Sequence, residues 1–128
     1  MEKDQNKSTM TLLVGASENP ERYAFSAAQL LQQKGFPFIP IGIKKGNVLG
    51  QDILDLQQKP ALKEIHTLSL YLGPKNQEQW MDYLLSLHPK RIIFNPGTEN
   101  PAFYARAKAA GIEALNACTL VMLTTSQY

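Results

Sequence analysis

The six residues from Thr9 to Val14 read T-M-T-L-L-V and stop at Gly15. A short apolar run closed by glycine suits a strand buried on both faces, as in a parallel sheet. The period then changes. From Pro20 to Lys34 the apolar positions Tyr23, Ala24, Ala27, Ala28, Leu30 and Leu31 recur at helical spacing, with Pro20 suited to a first turn and Gly35 to a stop. A buried strand followed directly by such a helix commits the chain to strand–helix–strand units, because parallel neighbours need a crossover between them.

The alternation continues. Phe36 to Ile43 reads F-P-F-I-P-I-G-I, too rich in proline for a helix and suited to a strand nearer the sheet edge. Lys44 to Lys63 has Gly46, Gly50 and Pro60 and little periodicity, which predicts a long ligand-side connection with one short helix around Pro60 to Glu64. Ile65 to Leu72 reads as a third strand, and Asn76 to Leu87 as a helix whose stripe of Trp80, Met81 and Leu84 belongs to the core. Arg91 to Phe94 is a fourth strand, Asn100 to Ala110 a helix stopped by Gly111, and Ile112 to Leu115 a fifth strand. Asn116 to Leu123 fits either a continuation or a short helix. These elements predict an α/β, Rossmann-like domain: a five-stranded parallel sheet of order 3-2-1-4-5 with helices on both faces. In that order the loops after Val14 and Phe94 flank the switch point, where ligands bind.

With 128 residues, 44% of them hydrophobic, one core can form but not two. The expected division is a flexible start at 1–8 and one domain at 9–128. A net charge of +2, with dispersed basic residues, gives no footprint for nucleic acid. The single Cys118 excludes an intramolecular disulfide framework and suits a reducing, cytoplasmic setting. No apolar run approaches the roughly 20 residues of a membrane crossing, and residues 1–9 lack a signal-peptide core.

Chemistry concentrates in the first turn. A pyrophosphate needs backbone N–H groups, no obstructing side chain, and a helix N-terminus behind it. In Gly15-Ala16-Ser17, Gly15 permits the tight turn, Ala16 allows close approach, and Ser17 adds a hydroxyl and a plausible helix entry. Arg22 follows in the first helical turn, where its fork can reach phosphate oxygens. The same residues also suit a plain strand-to-helix turn with a solvated arginine. NAD sites place a carboxylate about 20 residues beyond the glycine turn. Here the second strand ends in Lys44-Lys45, and no carboxylate appears until Asp52. That disfavours NAD and favours a ligand with an extra phosphate near the ribose, NADP or coenzyme A, unless the lysines are only a solvated basic turn.

Five segments in order resemble the small CoA-binding proteins related to the nucleotide-binding domain of the succinyl-CoA synthetase α subunit. They are V-G-A-S-E-N-P-E-R (Val14 to Arg22), P-I-G-I-K (Pro40 to Lys44), Y-L-G-P (Tyr71 to Pro74), N-P-G-T-E-N-P (Asn95 to Pro101) and A-C-T-L-V-M-L (Ala117 to Leu123). The resemblance implies coenzyme A as the ligand. It puts the pyrophosphate at Gly15, Ala16, Ser17 and Arg22, and the adenosine and 3′-phosphate end at Pro40, Gly42 and Lys44. Leu72, Gly73 and Pro74 would flank adenine or pantetheine, with Asn95, Pro96 and Gly97 as the facing wall. The ligase's phosphorylated histidine belongs to a second domain that the resemblance does not reach, and neither His66 nor His88 matches it.

No acid–base pair is evident among Asp52, Asp55, Glu64 and Glu99. Cys118 suits a small buried side chain; a sharper alternative is thiol exchange with bound CoA. The sequence thus points to a CoA- or acyl-CoA-binding module without chemistry of its own, working alone, with a protein partner or as a homodimer. The alternative is an NADP-dependent oxidoreductase or a subunit of one.

Overall fold

The computed structural model describes residues 8–128. The expected flexible start therefore lies, apart from Ser8, outside the described residues. The chain runs through β1 (Thr11–Val14), α1 (Tyr23–Gln33), β2 (Phe38–Gly42), β3 (Asn47–Val48), β4 (Gln51–Asp52) and β5 (Leu54–Asp55). After a 3-10 turn at Leu56–Gln58 come β6 (Thr67–Leu70), α2 (Pro74–Gln77), a second 3-10 turn (Glu78–Trp80) and α3 (Met81–Ser86). The last elements are β7 (Arg91–Phe94), α4 (Pro101–Ala109), β8 (Glu113–Asn116) and α5 (Thr119–Thr124).

The main sheet has six parallel strands in the order β5-β2-β1-β6-β7-β8, while β3 and β4 form a separate antiparallel hairpin. This corrects the expected five strands in two ways. The third long strand, β6, pairs with β1, Thr11 opposite Thr67, and not with β2. Pro40 supplies a physical reason. The carbonyls of Pro37 and Ile41 accept from Thr11 and Gly15, so the Pro40 nitrogen points away from β1 and has no proton to offer a neighbour there. Among the described residues only the two-residue β5 pairs on that side, opposite Ile41 and Gly42, beyond the proline. The Phe38 carbonyl left open is taken by the Gln51 side-chain amide at 3.0 Å. The second correction is β5 itself, which lies in the stretch read as a connection; the short helix expected at Pro60 to Glu64 does not form.

The switch point consequently lies between β1 and β6. Alternate residues of β1 serve opposite faces. Leu12 and Val14 join Leu68, Leu70, Ile92 and Phe94 under α3 and α4, where Trp80, Leu84 and Phe103 close the layer. Leu13 faces Ala27, Ala28 and Leu31 of α1 and Leu123 of α5. Small alanines on α1 let that helix approach the sheet closely. The C-terminal segment left open by its pattern is a short helix, and it packs beside α1.

Candidate functional site

A cavity of about 650 Å³ opens at the C-terminal end of the sheet, over the turns that follow β1, β2, β6 and β7. That is within the size range of small-molecule sites. Its wall includes Gly15, Ala16, Ser17, Arg22, Lys44, Leu72, Gly73, Pro96 and Gly97, nine of the residues singled out in the sequence.

Gly15 has φ +89°, and a Cβ on it would lie 2.9 Å from the Tyr71 carbonyl carbon and 3.1 Å from the Leu72 nitrogen. Its role is to let the β1 and β6 turns touch across the switch point. Its amide is not free: Gly15 and Ala16 both donate to the Ile41 carbonyl, at 2.9 and 3.1 Å. The donors left open are further along. Among the described residues, the amides of Ser17, Glu18, Tyr23 and Ala24 have no hydrogen-bond partner. Ser17 does not cap the helix; its Oγ accepts from Asn19 N at 3.0 Å, and Asn19 Oδ1 accepts from Glu21 N at 3.0 Å. This leaves the Ser17 hydroxyl proton available.

The helix-entry position belongs to Arg22, which has extended backbone and gives no side-chain cap. A residue that cannot accept from the first-turn amides leaves them, and the positive end of the eleven-residue α1, facing the cavity. The exposed guanidinium stands beside them. Lys44 and Lys45 are also exposed and line the same cavity.

Below this layer, buried amides brace the loops. Gln77 donates to the carbonyls of Leu72 and Thr98, each at 2.8 Å, and accepts from Asn100 Nδ2 at 3.0 Å. Asn95 donates to Ser69 Oγ at 3.0 Å and to the Leu70 carbonyl at 2.8 Å, and its Oδ1 accepts from Thr119 N at 2.8 Å. It is 1% exposed and does not line the cavity. Pro40 and Gly42 are buried in β2 behind the turn, and Pro74 is exposed at the start of α2, also outside the lining.

Cys118 is half-buried at the entry to α5 and outside the lining as well. Its neighbour Tyr71 does line the cavity; burial first, then the nearby Cys118, push the Tyr71 hydroxyl well above its ordinary range. Among the described residues no group of three or more His, Cys, Asp or Glu side chains could hold a metal ion.

Several lining residues escaped the sequence analysis. Tyr23, counted there among the apolar positions at helical spacing of α1, is 76% exposed and lines the cavity, as does Ile43, 51% exposed. Glu18 was also missed, because a lone glutamate in a loop has no pattern to betray it.

The family described as CoA binding domain matches residues 9–124. Among curated proteins, none matches. One similar solved structure, described as an uncharacterized protein, shares 44% identity with a TM-score of 0.91, covering 94% of this chain and 98% of its own. A hypothetical protein from Pyrococcus horikoshii OT3 shares 22% identity, TM-score 0.79, over 98% of this chain and 92% of its own. RSP, a Rex-family repressor, shares 18% identity, TM-score 0.62, over 98% of this chain and 60% of its own. The last two likenesses speak for the fold alone. The family match spans all the turns that build the cavity, and by it this chain belongs to the CoA binding domain family.

Proposed function

We propose that this domain binds coenzyme A or an acyl-CoA in the cavity over the β1 and β6 turns. The observation that carries this reading is the gathering of Ser17, Arg22 and Lys44 around one cavity whose first-turn amides are open. In this reading the pyrophosphate accepts from the Ser17 and Glu18 amides, the Ser17 hydroxyl, the start of α1 and the Arg22 fork. Gly15 and Ala16 shape the turn. Lys44 and Lys45 face the 3′-phosphate, Tyr23 and Ile43 flank the adenine, and pantetheine runs between Leu72-Gly73 and Pro96-Gly97. Pro40, Gly42, Pro74 and Asn95 act from behind, by holding the turns in place.

The reading assigns the domain no chemistry of its own: a carrier, a sensor or a subunit completed by a partner. Among the described residues no helix is long and apolar enough to cross a membrane. NADP also carries an extra phosphate that Lys44 and Lys45 would tolerate. NAD fits less well, since Asp52, the first carboxylate after β2, is outside the lining and accepts from Asn47 Nδ2 at 3.2 Å. Calorimetric titration with CoA, acetyl-CoA, NADP and NAD tests the proposal. CoA and acetyl-CoA are expected to bind and NAD to fail; tight NADP binding without CoA binding overturns it.

A further inference from the structure

The two lysines assigned to the terminal phosphate sit on a segment that, by its sequence, should wander. Lys44-Lys45-Gly46 leaves the sheet at Gly42, and both lysine side chains are exposed with no ion pair among the described residues. Yet the segment is tied down at its base. Glu18 Oε1 accepts from the Asn47 amide at 3.2 Å, bridging the β1 turn to the start of the hairpin. The Ile53 amide donates to the Gly46 carbonyl at 2.8 Å, closing the hairpin below the lysines. Val48, fully buried, anchors its first strand, β3, in the core.

Gly46 makes the bridge geometrically tight. A Cβ there would lie 2.6 Å from Glu18 Oε1 and 3.2 Å from Ile53 Cδ1, so the carboxylate occupies the space that any side chain would need. Glu18 itself lines the cavity. A carboxylate beside a phosphate site is unfavourable by charge, so its position calls for another reason. A charged acceptor holding a backbone amide provides one.

We propose that Glu18 is a positioning residue: its bond to Asn47 clasps the Lys44–Ile53 segment against the β1 turn and so sets the preference for a ligand carrying a phosphate on its ribose. The inference rests on the CoA reading for its ligand, though not for the clasp itself. Removing the clasp frees the lysine arm, and the phosphate then gains only from a mobile, solvated charge. Glutamine keeps the accepting oxygen and loses the charge, so Glu18→Gln separates the clasp from electrostatics.

Two measurements test it. In the ligand-free protein, hydrogen exchange at the Asn47 and Ile53 amides should quicken at least tenfold in Glu18→Ala and in Gly46→Ala but stay within about threefold of the parent in Glu18→Gln, a tenfold step being about 1.4 kcal/mol. Unchanged exchange in Glu18→Ala overturns the clasp whatever the domain binds. With ligand, the parent should prefer CoA over dephospho-CoA by roughly tenfold or more, as a charged phosphate contact implies. That preference should fall to about threefold or less in Glu18→Ala and largely return in Glu18→Gln. A Glu18→Ala protein that exchanges faster yet discriminates as well as the parent overturns the specificity role. A parent that binds neither ligand overturns the CoA reading and the specificity role together, while the exchange result still decides the clasp.

Discussion

Replacing Gly15 by alanine separates two accounts of the first turn. The backbone there has φ +89°, a conformation that costs an L-residue roughly 1–2 kcal/mol. The new methyl would also meet the Tyr71 carbonyl carbon at 2.9 Å and the Leu72 nitrogen and Tyr71 oxygen at 3.1 Å. Those are backbone atoms, and Tyr71 is fixed by the hydrogen bond that its amide donates to the Val14 carbonyl at 2.7 Å. Relief therefore requires separating β1 from the β6 turn, an overpacking cost of roughly 1–3 kcal/mol. Together the variant should lose roughly 2–5 kcal/mol, lowering Tm by about 6–25 °C for a domain of this size. Urea unfolding followed by circular dichroism reads the first quantity and a thermal melt the second. Alanine keeps the amide that Ile41 already holds, so the variant loses no phosphate donor. A Gly15→Ala protein of parental stability that binds CoA more than tenfold more weakly would refute this reasoning, since it would mean that the ligand, and not the β6 turn, needs the space beside Gly15.

Arg22→Ala should weaken CoA by roughly 1.5–3 kcal/mol, the worth of a charged hydrogen bond, and leave the melting temperature nearly unchanged; calorimetry beside a thermal melt checks both. Asn95→Ala should do the reverse. It leaves the Thr119 amide and the Leu70 carbonyl without their buried partner, at a cost of roughly 2–4 kcal/mol seen in denaturant titration, while a stable variant that cannot bind CoA would make Asn95 a ligand contact. Incubation with CoA disulfide should leave Cys118 unmodified by intact-protein mass spectrometry, because Tyr71 and not Cys118 lines the cavity. A reducible adduct at Cys118 would show that pantetheine passes that tyrosine.

What could be read from the sequence follows from where the physics is local. The β1 run, the spacing in α1 and the glycine stop are patterns of adjacent residues, and the strand ends they define carry most of the cavity wall. Strand order is a different kind of fact. Right-handed crossovers permit β6 on either side of the β1–β2 pair, and the clue against β2 was the single missing N–H of Pro40. The two-residue β5 is too short to show any period. Within the site, Gly15 and Ala16 read as amide donors because the sequence does not reveal that Ile41 holds both amides. Tyr23 matched the helical stripe, yet the buried side of α1 is Ala24, Ala27, Ala28 and Leu31, and Tyr23 at the first residue is left exposed. Asn95 drew notice as part of a turn motif, and only the three-dimensional partners from β6 and α5 reveal a brace.

The central claim is most directly tested by a crystal structure of the domain grown with CoA. The account predicts pyrophosphate oxygens within hydrogen-bond distance of the Ser17 amide and hydroxyl and of the first turn of α1, with Arg22 alongside and the 3′-phosphate facing Lys44. CoA seated elsewhere on the domain, or held in the cavity with Ser17 and Arg22 both clear of its phosphates, would contradict it.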